Sequence, residues 1–398
     1  MSPRASSSGR GSGPLSSRHI RWAEFDWHIV LIAALLLSVG MYFIHAMSLA
    51  LGNDEINGVS FEGHRQKIVM AVPALLLGLF VRPQWLRRQA WVVYGGALVL
   101  LLLVPLIGDE RNSARRWIEL PLIKFDLQPS ELAKIAVILM LAKVLDQNPL
   151  ESLRDWLKPL LVALVPMLMV AAQPDLGTSL TIVPVTVGLI YLAGGRARAL
   201  LSLAGLGVLV GATAFSLGFV RAYQLERVET WLDSFSPDEL IASRNGPGFH
   251  TYHARVAIGN GGLEGRGIGE GVANETGLLP ERDCDSIFAV IAEEGGFYGA
   301  AAVVALYTLL VVLMMASAAG MRDRFGRLVV GGVAIYFGAH LFINVSVNLG
   351  VLPMTGLTLP LLSTGGSSLL ATFLALGLAL GQSSHHEASL DSDAFRPF

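Results

Sequence analysis

The sequence predicts an all-α integral membrane protein, a polytopic bundle of about ten transmembrane helices with a large extracytoplasmic loop between spans 7 and 8. Composition is the first reason, because 53% of the 398 residues are hydrophobic and only 15% are charged. A soluble domain has about 25% charged residues. The second reason is that the apolar residues form continuous runs near the length, about 20 residues, that crosses a bilayer as a helix. The strands of a membrane barrel would instead alternate apolar and polar residues.

Ten segments qualify as spans, although the second and the sixth are short. Their approximate ranges are 27–48, 66–82, 91–108, 131–147, 158–173, 177–195, 199–220, 296–317, 327–349 and 364–383. The net charge of −2 provides no field that would steer nucleic acid to the protein. The single cysteine, Cys284, excludes an intramolecular disulfide framework and a metal site built from several cysteines.

Basic residues in the short loops predict the orientation of the chain in the membrane. With ten spans, the N-terminal segment and the loops after spans 2, 6 and 8 lie on one side. These regions contain Arg4, Arg10, Arg18, Arg21, Arg82, Arg87, Arg88, Arg196, Arg198, Arg322, Arg324 and Arg327. This side is assigned to the cytoplasm, so the chain is expected to be a multi-pass protein of the cell inner (cytoplasmic) membrane with both termini cytoplasmic.

The predicted organisation is a disordered cytoplasmic tail at 1–22, a membrane domain at 23–384 and a second cytoplasmic tail at 385–398. Within the membrane domain, residues 221–285 form the large outer loop. Residues 350–366 contain two prolines and four glycines but no charge, which predicts a re-entrant segment buried in protein or lining a cavity. Because the long polar loops face outward, the protein is expected to work at the outer leaflet.

Charged residues around the start of the fourth span form the first candidate site. Pro129 suits the first turn of a helix, and a helix N-terminus attracts anions. Arg115 and Arg116 precede that helix and are candidate bidentate phosphate ligands. Glu131 and Lys134 lie on one helical face and can pair. The alternative interpretation is an interfacial loop with a structural ion pair.

Acidic residues at two other helix starts leave alternatives open. Asp175 is predicted to cap the sixth helix, a role that does not exclude that it faces a site. Asp285 stands where the polar outer loop enters an apolar helix, so it is either a helix cap or a general base at the mouth of an apolar cavity. Glu293 and Glu294 follow about two turns later, and ionisable residues at membrane depth are functional candidates.

Four motifs stand in a fixed order along the chain. They are Arg116-Trp117 leading to Gln128-Pro129-Ser130-Glu131-x-x-Lys134; Gln173-Pro174-Asp175-Leu176-Gly177-Thr178; Ala257-Ile258-Gly259-x-Gly261-Gly262 followed by Leu279-Pro280-Glu281-x-x-x-Asp285-x-Ile287-Phe288-Ala289-x-x-x-Glu293-Glu294; and Leu352-Pro353-x-Thr355-Gly356-x-x-Leu359-Pro360-x-x-Ser363-x-Gly365-Gly366-Ser367. Together, over about residues 24–383, they resemble the SEDS family (shape, elongation, division and sporulation), represented by RodA and FtsW. The second motif and the short tails resemble RodA more, which favours a role in cell elongation.

The resemblance implies a peptidoglycan glycosyltransferase that polymerises lipid II, a disaccharide-peptide on undecaprenyl pyrophosphate, into β-1,4-linked glycan at the outer face of the cytoplasmic membrane. It also implies a partner, a class B penicillin-binding protein (a transpeptidase), and other elongation or division machinery. Asp285 matches the catalytic aspartate of the family. The expected substrate-binding residues are Arg115, Arg116, Trp117, Gln128, Glu131, Lys134, Asp175, Glu281, Ser363 and Gly365, with Glu293 and Glu294 supporting them.

The chemistry of such a transfer agrees with these residue types. The 4-hydroxyl of the acceptor sugar loses a proton as it attacks the anomeric carbon of the donor, and Asp285 is the candidate base. The pyrophosphate leaves as an anion, so no second carboxylate is needed, unlike in glycosidases. Cations stabilise such a leaving group, and the candidates are Arg115, Arg116, Lys134 and a divalent cation, Mg²⁺ or Mn²⁺. Two other functions stay open, a lipid II flippase and a non-catalytic scaffold of the wall-synthesis complex.

The chain departs from the family pattern next to the catalytic position and in the outer loop. Ser286 stands where the family usually has an aromatic residue, and Thr364 stands where members commonly have tyrosine. His250 and His253 are three residues apart in the divergent outer loop. Because no nearby carboxylate completes a ligand set, a zinc site at these histidines is not expected.

Overall fold

The computed structural model describes residues 14–15, 20, 22–23, 25–50, 59–111, 114–120, 125–216 and 222–384. The predicted tail at 385–398 and most of the predicted tail at 1–22 lie outside these residues. The described helices are α1 (Trp27–Ala50), α2 (Phe61–Phe80), α3 (Pro83–Ile107), α4 (Pro129–Asp146), α5 (Leu153–Ala172), α6 (Leu176–Leu192), α7 (Ala197–Ser216), α8 (Ala222–Asp233), α9 (Pro237–Ala242), α10 (Phe249–Gly261), α11 (Val272–Thr276), α12 (Ile287–Gly320), α13 (Arg324–Asn348) and α14 (Gly366–Ser384). The described strands are β1 (Asp109–Arg111), β2 (Ala114–Leu120) and β3 (Phe125–Leu127).

The long helices confirm the predicted fold class. Among the described residues, six helices are long and apolar enough to cross a membrane, namely α1, α3, α5, α12, α13 and α14. A shorter apolar helix, α6, and the helices α2, α4 and α7 account for the other four predicted spans. Each of the ten predicted segments therefore coincides with a helix.

Local signals in the sequence set several helix starts. Pro129 occupies the first turn of α4, as predicted. Asp175 caps α6, since its Oδ1 accepts a hydrogen bond of 3.2 Å from the backbone N–H of Thr178. Ser152 and Asp155 form a reciprocal capping box at the start of α5. The prediction that Asp175 is a helix cap is thus confirmed.

The core of the bundle is formed by α4, α13 and α14, whereas other helices direct large apolar side chains outward. Leu31 on α1, Val92 on α3 and Leu157 on α5 are all more than half exposed. A helix that is apolar on its exposed face belongs in lipid rather than in water. Helices α2 and α14 approach most closely at glycines, because a Cβ atom at Gly377 would lie 2.1 Å from the backbone oxygen of Leu75.

Two regions differ from the sequence prediction. The polar loop at 109–130 contains a small antiparallel sheet of order β1-β2-β3 next to the start of α4, which the hydropathy pattern does not predict. Helix α12 begins at Ile287, earlier than the predicted start near residue 296. The reason is a break at Gly296 (φ 64°, ψ −167°), where the strongly apolar part of α12 begins after two glutamates.

Candidate active site

Asp285 lies at the end of a turn of residues 280–286 (the acidic turn), directly before α12. Ser286, and not Asp285, is the N-cap residue of α12. The side chain of Asp285 is buried, with 8% of the residue exposed, and its Oδ1 atom has no hydrogen-bond partner among the described residues. The helix-cap alternative for Asp285 is therefore wrong, and its carboxylate is available for other chemistry.

Helix α13 fixes the backbone of Asp285. The side-chain amides of Asn344 and Asn348 donate hydrogen bonds of 2.9 Å and 3.0 Å to the carbonyl oxygen of Asp285. Asn344 also donates a 2.8 Å hydrogen bond to the carbonyl oxygen of Leu357. One amide group on α13 thus connects the acidic turn with the segment at 350–366.

The 350–366 segment is non-helical up to Gly365, and its second half is largely buried, as predicted for a segment enclosed in protein, whereas Val351 in its first half is 54% exposed. Ser363 Oγ donates a 2.5 Å hydrogen bond to the carbonyl oxygen of Cys284. Thr364 Oγ1 donates a 2.5 Å hydrogen bond to Asp283 Oδ2. Gly356 has a φ of 68°, and a Cβ atom there would lie 3.7 Å from Asp285 Oδ2, so the segment runs beside the carboxylate.

His250 on α10 approaches the Asp285 carboxylate from the outer loop. Its Nε2 atom lies 3.6 Å from Asp285 Oδ1 and 2.9 Å from Ser286 Oγ. The Ser286 hydroxyl donates to the carbonyl oxygen of Pro280 at 2.9 Å, and a hydroxyl has only one proton to donate. His250 Nε2 therefore donates its proton to Ser286 Oγ, beside the Asp285 carboxylate. From the sequence, His250 is a candidate only for metal binding, and this contact is not predicted.

Acidic groups cluster in the acidic turn. Ligand atoms of Glu281, Asp283 and Cys284 lie within 4.8 Å of one another. Burial, followed by the charges of Asp285 and Asp283, raises the pKa of Glu281, and burial raises the pKa of the Cys284 thiol. Mg²⁺ and Mn²⁺ prefer oxygen ligands, and a protonated thiol is not one. These residues do not fit the divalent cation that was considered from the sequence.

Glu131 and Lys134 form the predicted ion pair inside the bundle. Lys134 Nζ lies 2.7 Å from Glu131 Oε1, and the two side chains are only 5% (Glu131) and 1% (Lys134) exposed. Lys134 Nζ also contacts His340 Nε2 at 3.1 Å and lies 5.3 Å from the ring centroid of Tyr336. His340 Nδ1 contacts the carbonyl oxygen of Thr358 at 3.1 Å. The ammonium group is therefore enclosed by protein partners on α4 and α13.

The two predicted phosphate-binding arginines lie on β2. The Arg116 guanidinium donates to the backbone oxygens of Gln173 (3.2 Å from Nε) and Pro174. Arg115 is exposed, and its Nη1 lies 3.4 Å from the backbone oxygen of Pro105. Arg116 thus holds the turn between α5 and α6, while Arg115 faces outward.

Gln128 lies where α4 and α6 meet, and Trp117 lies on the small sheet. Gln128 Nε2 donates a 3.0 Å hydrogen bond to Asp175 Oδ2, and Trp117 is half-buried on β2. A Cβ atom at Gly177 would lie 2.2 Å from the backbone oxygen of Thr355. The start of α6 therefore packs directly on the segment that also borders Asp285.

Glu293 and Glu294 anchor the outer loop on α12. Glu293 accepts hydrogen bonds from Asn260 Nδ2 at 3.1 Å and from the backbone N–H of Ala273 at 2.9 Å, and Glu294 accepts one from Asn274 Nδ2. Both glutamates are at most 1% exposed. They connect α12 to α10, the helix that carries His250, while their predicted role in supporting the site stays a prediction.

Comparison with known proteins identifies the family. The sequence model of the FtsW, RodA and SpoVE proteins, described as "Cell cycle protein", matches residues 26–388. The chain belongs to this family. It is 34% identical to a "Probable peptidoglycan glycosyltransferase FtsW" of Trichlorobacter lovleyi, over 90% of this chain and 93% of that protein. It is 35% identical to "Peptidoglycan glycosyltransferase MrdB" of Escherichia coli, over 81% and 85% of the two chains.

Solved structures of the FtsW/RodA/SpoVE family have the same fold. RodA of Thermus thermophilus, a "Rod shape determining protein", matches with a TM-score of 0.67 and 28% identity, over 92% of this chain and 99% of that chain. A chain from a "peptidoglycan synthase complex" matches with a TM-score of 0.75 and 31% identity, over 91% and 98% of the two chains.

Asn344 provides a first test of how this family member holds its acidic turn. Asn344→Asp replaces an amide donor by a carboxylate that faces the carbonyl oxygens of Asp285 and Leu357. Losing these donors removes the hydrogen bond to the buried carbonyl of Leu357, while the carbonyl of Asp285 keeps the one from Asn348, so we expect the free energy of unfolding to fall by about 1–3 kcal/mol. Thermal unfolding in detergent measures this change. Asn344→Ala removes the donors without adding an anion and should cost less, and equal stability of wild type and Asn344→Asp would contradict the assignment.

Proposed function

We propose that this chain polymerises lipid II into β-1,4-linked glycan strands at the outer face of the cytoplasmic membrane. It is a multi-pass membrane protein and a peptidoglycan glycosyltransferase of the FtsW/RodA/SpoVE family. The observation that carries the proposal is the Asp285 carboxylate, which is buried and has an oxygen without a hydrogen-bond partner among the described residues. It lies where the outer loop, α13 and the 350–366 segment meet.

In the proposed reaction Asp285 is the general base. As the 4-hydroxyl oxygen of the acceptor sugar bonds to the anomeric carbon of the donor, its proton passes to the Asp285 carboxylate. The bond between the anomeric carbon and the pyrophosphate oxygen breaks at the same time, and its electron pair leaves with the lipid pyrophosphate. A single displacement inverts the configuration at the anomeric carbon, so an α-linked donor gives a β-linked product.

Neighbouring residues orient this base. His250 Nε2 lies 3.6 Å from Asp285 Oδ1 and contacts the hydroxyl of Ser286, the next residue, so it borders the carboxylate. Asn344 and Asn348 hold the backbone of Asp285, and Ser363 holds that of Cys284. Rigid support of this kind keeps a catalytic group within the narrow range of productive geometries.

The predicted substrate-binding residues fall into two groups in this mechanism. Arg116 and Lys134 have protein partners and support the architecture. Arg115 and Trp117 on β2, Glu281 in the acidic turn and Gly365 beside Thr358 stay predicted substrate contacts. A divalent cation is not needed for the proton transfer described above, and no step depends on one.

A class B penicillin-binding protein is the proposed partner. The chain resembles a component of a peptidoglycan synthase complex that coordinates polymerization and crosslinking, and crosslinking is the activity of such a transpeptidase. The distribution of arginines supports the cytoplasmic membrane with both termini inside. Relatives named FtsW and MrdB have similar identities to the chain, so the role in elongation stays a prediction.

The purified chain should convert lipid II to glycan strands, and the experiment is run with and without a class B partner. Product is measured by gel separation of labelled glycan, and lipid II movement is measured in sealed vesicles. Glycan synthesis supports the proposal. Movement of lipid II across vesicles without glycan, with the partner present, would favour the flippase, and neither activity would favour the scaffold.

A further inference from the structure

Arg282 is a buried cation with unsatisfied hydrogen-bond donors. Only 5% of the residue is exposed, and its Nε and Nη2 atoms are buried without a hydrogen-bond partner among the described residues. A guanidinium remains charged at all physiological pH values. The negative charge of Asp283 stabilises it, but a buried donor without an acceptor is unfavourable. An unsatisfied group of this kind points to a ligand that is bound during function.

The acidic turn places Arg282 next to the proposed base. The carbonyl oxygen of Glu281 accepts hydrogen bonds from the backbone N–H groups of Cys284 at 2.9 Å and Ser286 at 3.2 Å. This tight turn contains both Arg282 and Asp285, three residues apart. A group that binds Arg282 is therefore held at the turn that carries the proposed base.

A second cation reaches the same region from α2. Lys67 Nζ donates a 3.1 Å hydrogen bond to the carbonyl oxygen of Thr364. The side chain of Thr364 in turn donates to Asp283 Oδ2, and Asp283 directly follows Arg282. The Asp283 carboxylate thus accepts from the hydroxyl of Thr364, the residue whose carbonyl binds Lys67.

Two other arginines of the described outer face are held by protein carbonyls. Arg255 donates to the backbone oxygens of Ser234, Leu349 and Gly350, and Arg116 donates to two backbone oxygens of the α5–α6 turn. Arg282 differs because two of its nitrogens have no such acceptor among the described residues. It is therefore a better candidate for an anionic ligand than Arg116.

We propose that Arg282, assisted by Lys67, binds the pyrophosphate that links the lipid to the sugar of the donor substrate. This inference rests on the proposed function. The planar guanidinium donates two parallel hydrogen bonds to phosphate oxygens. As the bond to the anomeric carbon breaks, negative charge grows on the pyrophosphate, and a cation fixed beside it stabilises that charge.

Binding is tested in the full chain carrying Asp285→Asn, so that turnover does not interfere. The probes are undecaprenyl pyrophosphate and undecaprenyl monophosphate, titrated in detergent micelles. Because a hydrogen bond to a charged group is lost, Arg282→Gln should weaken binding of the pyrophosphate about 10- to 100-fold, with a smaller effect on the monophosphate. Arg282→Lys keeps the charge and should weaken pyrophosphate binding about 3- to 10-fold, since the fork geometry is lost. Arg266→Gln, at an exposed arginine of the same outer loop, is the matched control and should bind like its parent.

The outcomes separate this inference from the proposed function. Unchanged pyrophosphate affinity in a folded Arg282→Gln variant would overturn the inference. If Arg282→Gln does not fold, the Arg282→Lys variant decides, and affinity equal to the parent would again overturn it. Glycan synthesis by the wild-type chain is measured in parallel, and only its absence speaks against the proposed function.

Discussion

Asp285→Asn is expected to reduce the rate of lipid II polymerisation by about 10²- to 10⁴-fold, the contribution that a general base makes to such reactions. The amide has the shape of the carboxylate but cannot accept the proton of the acceptor hydroxyl. The rate is measured as labelled glycan formed per minute by purified protein with its class B partner. Residual synthesis near the wild-type rate would remove Asp285 from the mechanism.

The same substitution should leave the fold intact, which makes the loss of activity interpretable. Asp285 Oδ1 has no hydrogen-bond partner among the described residues, and the backbone carbonyl, not the side chain, is held by Asn344 and Asn348. We therefore expect the unfolding temperature to change by no more than a few degrees. The alternative, in which Asp285 is a structural residue, predicts loss of stability together with loss of glycan.

Asp238→Asn is the matched control for the charge change. Asp238 is an exposed carboxylate on α9 in the same outer loop, so its substitution changes net charge equally without touching the acidic turn. Surface substitutions away from special features usually change stability by less than about 0.5 kcal/mol. Activity of Asp238→Asn should stay near that of wild type, and an equal loss in both variants would point to a general charge effect.

Features that depend on neighbouring residues in the sequence were predictable. Continuous apolar runs predicted the ten helices that coincide with spans, because hydropathy over about 20 residues is a local property. Pro129 and Asp175 stand at helix starts as their chemistry predicts. Glu131 and Lys134 pair because residues three apart share a helical face.

Contacts between distant parts of the chain were not predictable from one sequence. His250 reaches Ser286 across 36 positions, and Asn344 reaches Asp285 across 59 positions. No periodicity or spacing reports such contacts. The Arg282 donors that lack a partner among the described residues were likewise not predictable, because a sequence does not show which arginine side chains donate to a carbonyl oxygen.

The two departures from the family pattern gain an explanation from the structure. Ser286, where the family usually has an aromatic residue, contacts His250 through its hydroxyl. Thr364, where members commonly have tyrosine, donates to Asp283 and contacts the thiol of Cys284. Both hydroxyls contact residues of the acidic turn. The chain thus uses small polar residues to connect the outer loop and the 350–366 segment to the proposed base.

Lys134→Met is expected to lower the free energy of unfolding by about 3–5 kcal/mol, the effect of breaking a buried ion pair by removing one partner. The substitution leaves Glu131 buried without its cation, and Glu131 Oε2 already has no hydrogen-bond partner among the described residues. His340 Nε2 loses its contact with the ammonium group as well. Thermal and denaturant unfolding of the purified protein in detergent micelles measures the change.

The chain contains a matched control for this pair. Arg65 and Glu62 are also three residues apart on one helix and lie 2.9 Å from each other, but their side chains are 59% and 55% exposed. Exposed pairs contribute about 0–1 kcal/mol, so Arg65→Met should have little effect on the free energy of unfolding. If Lys134→Met lowers the free energy of unfolding no more than Arg65→Met does, burial does not determine the strength of this pair.

The double variant Glu131→Leu with Lys134→Met separates stability from substrate binding. Replacing both members of a buried pair by apolar residues of similar size is often neutral or stabilising, so we expect the double variant to recover most of the stability lost in Lys134→Met. If glycan synthesis recovers with it, the pair supports the bundle beneath the acidic turn, as its enclosure by His340 and Tyr336 indicates. Restored stability without glycan synthesis would instead support the sequence prediction that Lys134 contacts the substrate pyrophosphate.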